Sequence, residues 1–356
     1  MEKLFSRLAR LSTMVVFLVL LGTVISLYLS ARPAIQAFGS YFLLDPRWGV
    51  EVKSEPAEQA GSQSSQNDLM RKAGTSESDA SETGTSSSDG TVVDELAMLD
   101  EMDDEVVPIE DETATGQADL QPEAQGHTKV VYGGAVAIVG TVFSTLIALL
   151  FAVPISMGIA IFLSEIARPV LAQPVGVAVE LLAAIPSIIY GMWGLFYFGP
   201  FLASIFGGNS VSLLVGGLVL GVMIIPFMAA LSRDAINTTP DILKEAAYAM
   251  GATKTEVIKD IIFPYAKAGI IGSIIVSLGR ALGETMAVAF VIGGVYQFAH
   301  KVTDPTISIP VALANNFSES SGLSLSVLFY LALILFVVSF VIIFSAKYFF
   351  LRRGKL

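Results

Sequence analysis

Six long apolar stretches dominate the chain, and each is long enough to cross a membrane as a helix. They lie at residues 11–30, 133–163, 175–198, 211–231, 268–295 and 323–346. The hydrocarbon core of a bilayer is about 30 Å thick, which about 20 helical residues span. The pattern therefore predicts an all-α polytopic membrane protein with six transmembrane helices. Proline inside three of these stretches predicts kinks at Pro154, Pro186 and Pro226.

Composition agrees with a membrane protein, because 53% of the 356 residues are hydrophobic and 15% are charged. The net charge of −11 comes from one segment, since residues 51–127 contain 20 of the 32 acidic residues and only three basic ones. A segment rich in serine and acidic residues buries too little apolar surface to fold, so we expect disorder there. We interpret it as a solvated tether or an adaptation to high salt, with docking of a basic partner or cation binding as the alternative.

Lysine and arginine near the ends of the apolar stretches predict the orientation. Lys3, Arg7 and Arg10 precede the first stretch, and basic residues also occupy 164–174, 232–267 and the C-terminal tail. With six helices all four regions fall on the cytoplasmic side, so both termini are expected in the cytoplasm. The first helix has no small-residue cleavage site after it, which favours an uncleaved signal anchor.

These patterns predict three regions. The first is a transmembrane signal anchor at 1–32, and the second an extracytoplasmic loop at 33–130. The third is a permease domain at 131–356, with five transmembrane helices and a cytoplasmic coupling loop at 233–267. The absence of cysteine excludes disulfides and thiolate chemistry, and no phosphate-binding G-x-x-x-x-G-K-[ST] motif occurs. Neither an enzyme nor a cofactor-binding protein is indicated.

A polar insert, KEAAYAMGATKTEVIKDIIFP at 244–264, separates the fourth and fifth apolar stretches. Thr239 is predicted to cap a helix in which Pro240 takes the first position, and Gly251 is predicted to end that helix in the left-handed conformation. Thr253-Lys-Thr-Glu has the spacing of a capping box that starts a second helix, and Pro264 is expected to close it. Two helices of about ten residues are too short to span a bilayer, so the insert predicts a cytoplasmic helical hairpin.

The insert resembles the EAA loop of binding-protein-dependent ABC importer permeases. The matching residues are Glu245, Ala246, Ala247, Gly251, Ile261, Phe263 and Pro264, with phenylalanine in place of the usual leucine before the proline. The resemblance implies the MetI-like ABC permease fold. It also implies that the loop 239–264 docks on an ATPase subunit, so that Glu245, Ala246, Ala247, Gly251 and Pro264 are candidate coupling residues.

Two further strings, AAIPSIIYGMWGLF at 183–196 and GRALGETMAVAFVIGG at 279–294, resemble phosphate-specific transport permeases of the C type. This resemblance implies an ATP-driven phosphate importer in a bacterial inner membrane. Its other subunits would be a homologous PstA-like permease, two PstB-like ATPases that hold ATP and Mg, and an extracytoplasmic PstS-like phosphate-binding protein. The resemblance covers roughly residues 133–351 and the first helix, and leaves the acidic segment unassigned.

Arg280 and Glu284 are charged residues within the fifth apolar stretch. A membrane-embedded arginine costs roughly 2.5–3.5 kcal/mol on insertion scales, so it is a candidate for function. Glu284 follows four residues later, and on one continuous helix the two side chains would lie within ion-pair reach. We interpret them as a substrate-pathway site for an oxyanion, with a structural salt bridge as the alternative. Sulfate, molybdate or phosphonate transport, and a membrane scaffold or sensor acting through the acidic segment, are the alternative functions.

Overall fold

The computed structural model describes residues 2–53 and 128–352. Its long helices are α1 (Glu2–Phe38), α2 (Ala135–Ile161), α6 (Leu213–Asn237), α9 (Phe263–Leu282) and α12 (Gly322–Arg352). Its shorter helices are α3 (Pro169–Ala183), α4 (Ser187–Trp193), α5 (Gly199–Phe206), α7 (Asp241–Ala249), α8 (Lys254–Glu256), α10 (Met286–Val291) and α11 (Ile309–Asn316). Strands β1 (Trp48–Lys53) and β2 (Thr128–Tyr132) pair with each other. Of the segment 51–127, for which disorder is predicted, residues 51–53 belong to β1 and the rest lies outside the described residues.

Three π-helical turns extend or join these helices. Phe162–Ile166 extends α2, Gly194–Phe198 joins α4 to α5, and Val257–Ile262 joins α8 to α9. In the part of the chain that the structure describes, six helical segments are then long and apolar enough to cross a membrane, which confirms the predicted number. These segments are Arg10–Leu43, Ala135–Ile166, Ser187–Phe206, Leu213–Asn237, Lys254–Leu282 and Gly322–Tyr348.

Helix α6 is the central helix of the bundle and packs against α2, α9 and α3. Its core residues Val219, Ile224 and Met228 are at most 1% exposed. Gly217 lets α2 approach closely, because a Cβ at this position would lie 2.7 Å from the Cβ of Ile147. Small residues at such seams drive packing in membranes, where burial of apolar side chains gains little. Helix α1 instead packs along α12.

The predicted position of the third membrane helix, at 175–198, is wrong. Helix α3 ends at Ala183, and the chain turns before α4 begins at Ser187. Pro186 sits in this turn with φ −56° and ψ 134°, so it does not kink a helix as predicted. Proline has no N–H to donate and disfavours helical geometry in the residue before it, which explains the break. The third candidate span is therefore Ser187–Phe206, and the 15-residue α3 is too short to cross a bilayer.

The fifth apolar stretch also differs from the predicted single helix at 268–295. Helix α9 ends at Leu282, Gly283 follows with φ −94° and ψ 0°, and the separate helix α10 begins at Met286. At its other end the helical segment runs back to Lys254 without interruption. The prediction that Pro264 closes a short helix is therefore wrong. The π turn that precedes Pro264 shifts the hydrogen-bond register, which accommodates a residue with no N–H.

Candidate functional site

The polar insert forms the predicted helical hairpin, with one change at its start. Pro240 takes the N-cap position of α7 with φ −61° and ψ 134°, and no side chain caps the helix. Thr239, predicted as the cap, is buried instead, and its hydroxyl has no hydrogen-bond partner. The helix therefore begins one residue later than predicted, at Asp241.

The turn between the two arms of the hairpin matches the prediction. Gly251 has φ +88°, the left-handed conformation that favours glycine. Its N–H donates to the carbonyl of Tyr248, and the next N–H, of Ala252, donates to the carbonyl of Ala247. These two bonds form a Schellman motif. Thr253 then forms the predicted capping box with Glu256, whose Oε2 lies 2.7 Å from the Thr253 backbone nitrogen.

The outer face of the hairpin is apolar and open. Met250 is 90% exposed and Ile242 is 73% exposed, although both are large hydrophobic side chains. The candidate coupling residues Glu245 and Ala246 are also exposed, and Ala247 is half-buried. Exposed apolar surface bordered by polar residues is typical of a protein–protein contact. The geometry of the hairpin therefore suits a docking surface.

The inner face of the hairpin packs on the rest of the bundle. Val257 and Ile262 are at most 1% exposed and form a buried cluster with Ile236 of α6, Ala160 of α2 and Ala266 of α9. The apolar residues of the second arm thus form a packing surface. The cluster brings the ends of three long helices to one side of the bundle.

A largely buried ion pair attaches α7 to α2, and no pattern in the sequence predicted it. Lys244 Nζ donates a hydrogen bond of 2.8 Å to Glu165 Oε1, which lies in the π turn that extends α2. The side chains are 16% and 9% exposed. Asp241 Oδ1 lies 3.6 Å from the same nitrogen but is mostly exposed. The partners are 79 residues apart in the chain, so only the fold brings them together.

A second contact ties α3 to the same end of α6. Arg233 Nη1 lies 4.0 Å from Glu180 Oε1, at the limit of an ion pair. The guanidinium crosses α3 directly over Gly176, where a Cβ would clash with it. A side chain at position 176 would therefore displace the end of the flexible Arg233 side chain from this crossing. Both contacts gather charged groups of α2, α3, α6 and α7 beside the hairpin.

Arg280 lies in the last turn of α9, at the far end of the helix from the hairpin. Its side chain is exposed on the single chain, and its guanidinium carbon lies 5.4 Å from the centroid of the Phe227 ring. This distance is within the range of a cation–π interaction. A cation at a helix C-terminus is also stabilised by the helix dipole. Arg280 is thus held by α6 and α9 while its donors remain open.

The predicted ion pair between Arg280 and Glu284 is wrong. Among the described residues no salt bridge joins them, because α9 ends between them and Glu284 lies in the break. Its Oε1 instead accepts a hydrogen bond of 3.2 Å from the backbone N–H of Ala287 in α10. Glu284 therefore caps the short helix that follows the break. In the sequence, the run Gly283-Glu284-Thr285 within the apolar stretch was the signal of this break.

One continuous helical segment, Lys254–Leu282, connects the hairpin to the break. Its 29 residues correspond to about 43 Å of helix, more than the thickness of a bilayer core. No linker therefore separates the hairpin from Arg280. Non-helical backbone at membrane depth is tolerated where it is buried in protein or lines a cavity. The described residues thus form a bundle of six candidate membrane spans with an exposed hairpin and a broken helix.

Residues 130–354 match the model of the family described as the binding-protein-dependent transport system inner membrane component. The chain belongs to this family. It is therefore a multi-pass membrane protein and a transport component.

Two relatives of known name show which members of the family this chain is similar to. The chain is 46% identical over 244 residues to the phosphate transport system permease protein PstC of Pasteurella multocida (strain Pm70), covering 63% of this chain and 76% of that protein. It is 45% identical over 236 residues to the protein of the same name from Haemophilus influenzae (strain ATCC 51907 / DSM 11121 / KW20 / Rd), covering 61% and 75%. Both alignments lie well above the identity at which family membership is secure.

Among solved structures, an inward-facing conformation of the MetNI methionine ABC transporter is similar. Its TM-score is 0.50 at 20% sequence identity, and the alignment covers 61% of this chain and 94% of that one. At this identity the likeness shows the fold alone. The predicted ABC importer permease fold is thereby confirmed.

Proposed function

We propose that this chain is the permease subunit of an ATP-driven phosphate importer. It forms the translocation pathway with a homologous permease, and it receives phosphate from an extracytoplasmic binding protein. Two ATPase subunits hold ATP and Mg and carry out hydrolysis, so this chain performs no covalent chemistry. The names of relatives at 46% and 45% identity support phosphate as the substrate.

The charge distribution supports an orientation with the hairpin in the cytoplasm. Arg168, Arg233, Lys254 and Lys259 all lie at the hairpin end of the bundle. Positively charged residues flanking membrane helices accumulate on the cytoplasmic side. With six spans, both termini then lie in the cytoplasm, and the sheet of β1 and β2 lies outside. This orientation presents the exposed hairpin to a cytoplasmic ATPase.

The single observation that carries the proposal is the continuous helix between hairpin and break. Its start, Lys254, follows the exposed docking surface directly, and Arg280 is in its last turn. Movement of the docked hairpin therefore displaces Arg280 along or around the helix axis. The proposal assigns the hairpin to ATPase coupling and the break to the translocation pathway.

Arg280 is proposed to bind the transported oxyanion. A guanidinium offers five N–H donors and forms paired hydrogen bonds to phosphate oxygens. It is exposed on this chain and has no carboxylate partner among the described residues, so its donors remain available. Glu284, held at the break by its bond to Ala287, places a negative charge nearby that would weaken anion binding and favour release.

Replacing Arg280 with glutamine tests this assignment. We expect phosphate uptake to be lost while the complex still assembles and keeps its thermal unfolding midpoint, because the exposed side chain contributes only a cation–π contact, worth about 0.5–1 kcal/mol at exposed sites. Uptake of labelled phosphate is measured in proteoliposomes, and assembly by gel filtration. Loss of assembly would favour a structural role instead.

The whole proposal is tested by co-purification and transport. The chain is expected to purify with a second permease and an ATPase, and this assembly should take up labelled phosphate when the binding protein and ATP are supplied. Competition by sulfate, molybdate and phosphonate discriminates among oxyanions. Uptake of one of these oxyanions in place of phosphate would change the proposed substrate but not the proposed mechanism. Purification without any ATPase would refute both the proposed substrate and the ATP-driven mechanism.

A further inference from the structure

A small cavity lies at the end of the bundle that carries β1 and β2. Its volume is about 250 Å³, and its walls include Trp48, Tyr132, Asn316, Glu319, Ser320 and Ser324. The helical segment Ala135–Ile166, 32 residues or about 48 Å long, separates this end from Glu165 beside the hairpin. This length exceeds a bilayer core of about 30 Å. The cavity and the hairpin therefore face opposite sides of the membrane.

Aromatic contacts give the cavity a rigid wall. The Trp48 ring stacks on Tyr296, with centroids 4.7 Å apart and planes 6° apart. Tyr132 meets Trp48 edge-on at 5.4 Å. Asn316 Nδ2 donates a hydrogen bond of 2.7 Å to the Tyr296 hydroxyl. Burial raises the pKa of Tyr296 above its ordinary value, so the phenol stays neutral at physiological pH.

Two oxygen acceptors of the cavity have no hydrogen-bond or ion-pair partner among the described residues, namely the Asn316 amide oxygen and the Glu319 carboxylate. Asn316 uses its amide nitrogen twice, for Tyr296 and for the Ala312 carbonyl, which leaves its amide oxygen without a partner. Ser320 and Ser324 donate to the backbone carbonyls of Asn316 and Ser321. Glu319 carries the formal charge of the wall, and it has no ion-pair partner in the described ranges 2–53 and 128–352.

The formal charge among the lining residues is that of the Glu319 carboxylate. This negative charge attracts a cation and repels an anion. A planar cation with several donors satisfies both acceptor groups and lies against the indole ring. The volume of about 250 Å³ is below the 300–1,000 Å³ usual for small-molecule sites, and it suits one long side chain.

We propose that this cavity is a socket for the guanidinium of an arginine side chain on the soluble binding protein. The inference rests on the proposed function, which supplies such a partner on this side of the membrane. Arginine fits better than lysine, because the guanidinium plane stacks on tryptophan and its fork donates to two acceptors at once. The contact would fix where the partner docks on this end of the bundle.

Tryptophan fluorescence tests the chemistry of the socket directly. The chain has two tryptophans, Trp48 and Trp193, so Trp193→Phe leaves Trp48 as the only tryptophan. In the purified protein, acetyl-arginine amide is expected to change Trp48 fluorescence saturably in the millimolar range, whereas the neutral isostere acetyl-citrulline amide should have no effect. Glu319→Gln should weaken the response at least tenfold, and Asp260→Asn, which removes a carboxylate beside the hairpin, should leave it unchanged.

Two results would overturn the socket. Equal responses to the arginine and citrulline amides would show that charge is not recognised, and an unchanged response in Glu319→Gln would place binding elsewhere. Glu319 is exposed, so its variant should keep the thermal unfolding midpoint of the parent protein. A response that survives Trp48→Phe in the same background would also refute the site.

A second experiment tests the source of the arginine. In the assembled complex, Glu319→Gln is expected to raise at least tenfold the binding-protein concentration that half-maximally stimulates ATP hydrolysis, with the maximal rate unchanged. An unchanged half-maximal concentration would refute the docking role even if free arginine amide binds. Should the unmodified complex show no stimulation by a binding protein, the proposed function fails, whereas the fluorescence titration still decides on the cation socket.

Discussion

The largely buried ion pair between Lys244 and Glu165 is expected to hold the hairpin against α2. Lys244→Met removes the cation and leaves the Glu165 carboxylate only 9% exposed with no partner. Glu165→Gln is milder, because the amide oxygen still accepts a hydrogen bond and Asp241 lies 3.6 Å from the lysine. The two single substitutions should therefore differ, although each breaks the same pair.

The size of the difference follows from the burial of the two side chains. Removing one partner of a buried pair costs about 3–5 kcal/mol, since the other charge is left uncompensated. Exchanging a charged acceptor for a neutral one costs about 1–1.5 kcal/mol, the difference between charged and neutral hydrogen bonds. Combining both substitutions leaves two neutral side chains, so the double variant should recover about 2 kcal/mol relative to Lys244→Met.

Hydrogen exchange of the α7 amides measures this loss of stability at the hairpin itself. A loss of about 3 kcal/mol raises the fraction of undocked hairpin by more than a hundredfold, at about 1.4 kcal/mol per factor of ten. The amides of α7 in Lys244→Met should exchange faster by that factor in the purified complex. Lys259→Met is the matched control, because this exposed lysine lies on the same hairpin and has no ion pair among the described residues.

Transport distinguishes a coupling role from a merely structural one. If the pair carries motion from the hairpin to α2, Lys244→Met should lower phosphate transported per ATP hydrolysed while ATPase binding remains. Equal exchange rates in Lys244→Met and Lys259→Met would refute the energetic reasoning. A double variant no better than Lys244→Met would show that the uncompensated carboxylate is not the cause.

Three further substitutions test separate features. Gly251→Ala places a side chain in open space at φ +88°, so we expect a strain of about 1–2 kcal/mol in the hairpin turn and a lower ratio of uptake to ATP hydrolysis. Gly140→Ala should lower the thermal unfolding midpoint strongly, because its Cβ would clash with a backbone carbonyl, whereas Gly158→Ala in the same helix meets no atom within 4 Å and should not. Glu284→Gln keeps an acceptor for the Ala287 N–H, so the midpoint should be unchanged while loss of the carboxylate charge lowers uptake. The expectations would be contradicted by an unchanged ratio in Gly251→Ala, by equal midpoints in Gly140→Ala and Gly158→Ala, or by unchanged uptake in Glu284→Gln.

Local signals in the sequence were sufficient for the hairpin. The left-handed Gly251 and the capping box at Thr253 each depend on a few neighbouring residues, and the structure contains both. Such features are predictable because the competing conformations differ by local sterics and hydrogen bonds. The start of the hairpin shows the limit of this approach, since Pro240 takes the N-cap position that was predicted for Thr239, whose hydroxyl is buried.

Breaks within apolar stretches were not predicted, because hydropathy does not distinguish one long helix from two short ones. The turn before Ser187 and the break at Gly283 each fall in a run of apolar residues. The second error led directly to the wrong ion pair, since the pairing of Arg280 with Glu284 assumed a continuous helix. Glycine and proline at these positions were the available signals, but glycine and proline also occur inside intact membrane helices.

The hairpin has two attachments to the bundle, and they differ in kind. Its second arm continues covalently into α9, whereas α7 is held on α2 by the ion pair between Lys244 and Glu165. Helix α6, packed between α2 and α9, contacts both and carries the buried core. In the proposed mechanism, a force on the hairpin would act on α2 and α9 together and move them against α6. Because Arg280 of α9 lies over Phe227 of α6, this relative motion would shift the guanidinium against the aromatic ring and change the surroundings of the anion that is proposed to bind there.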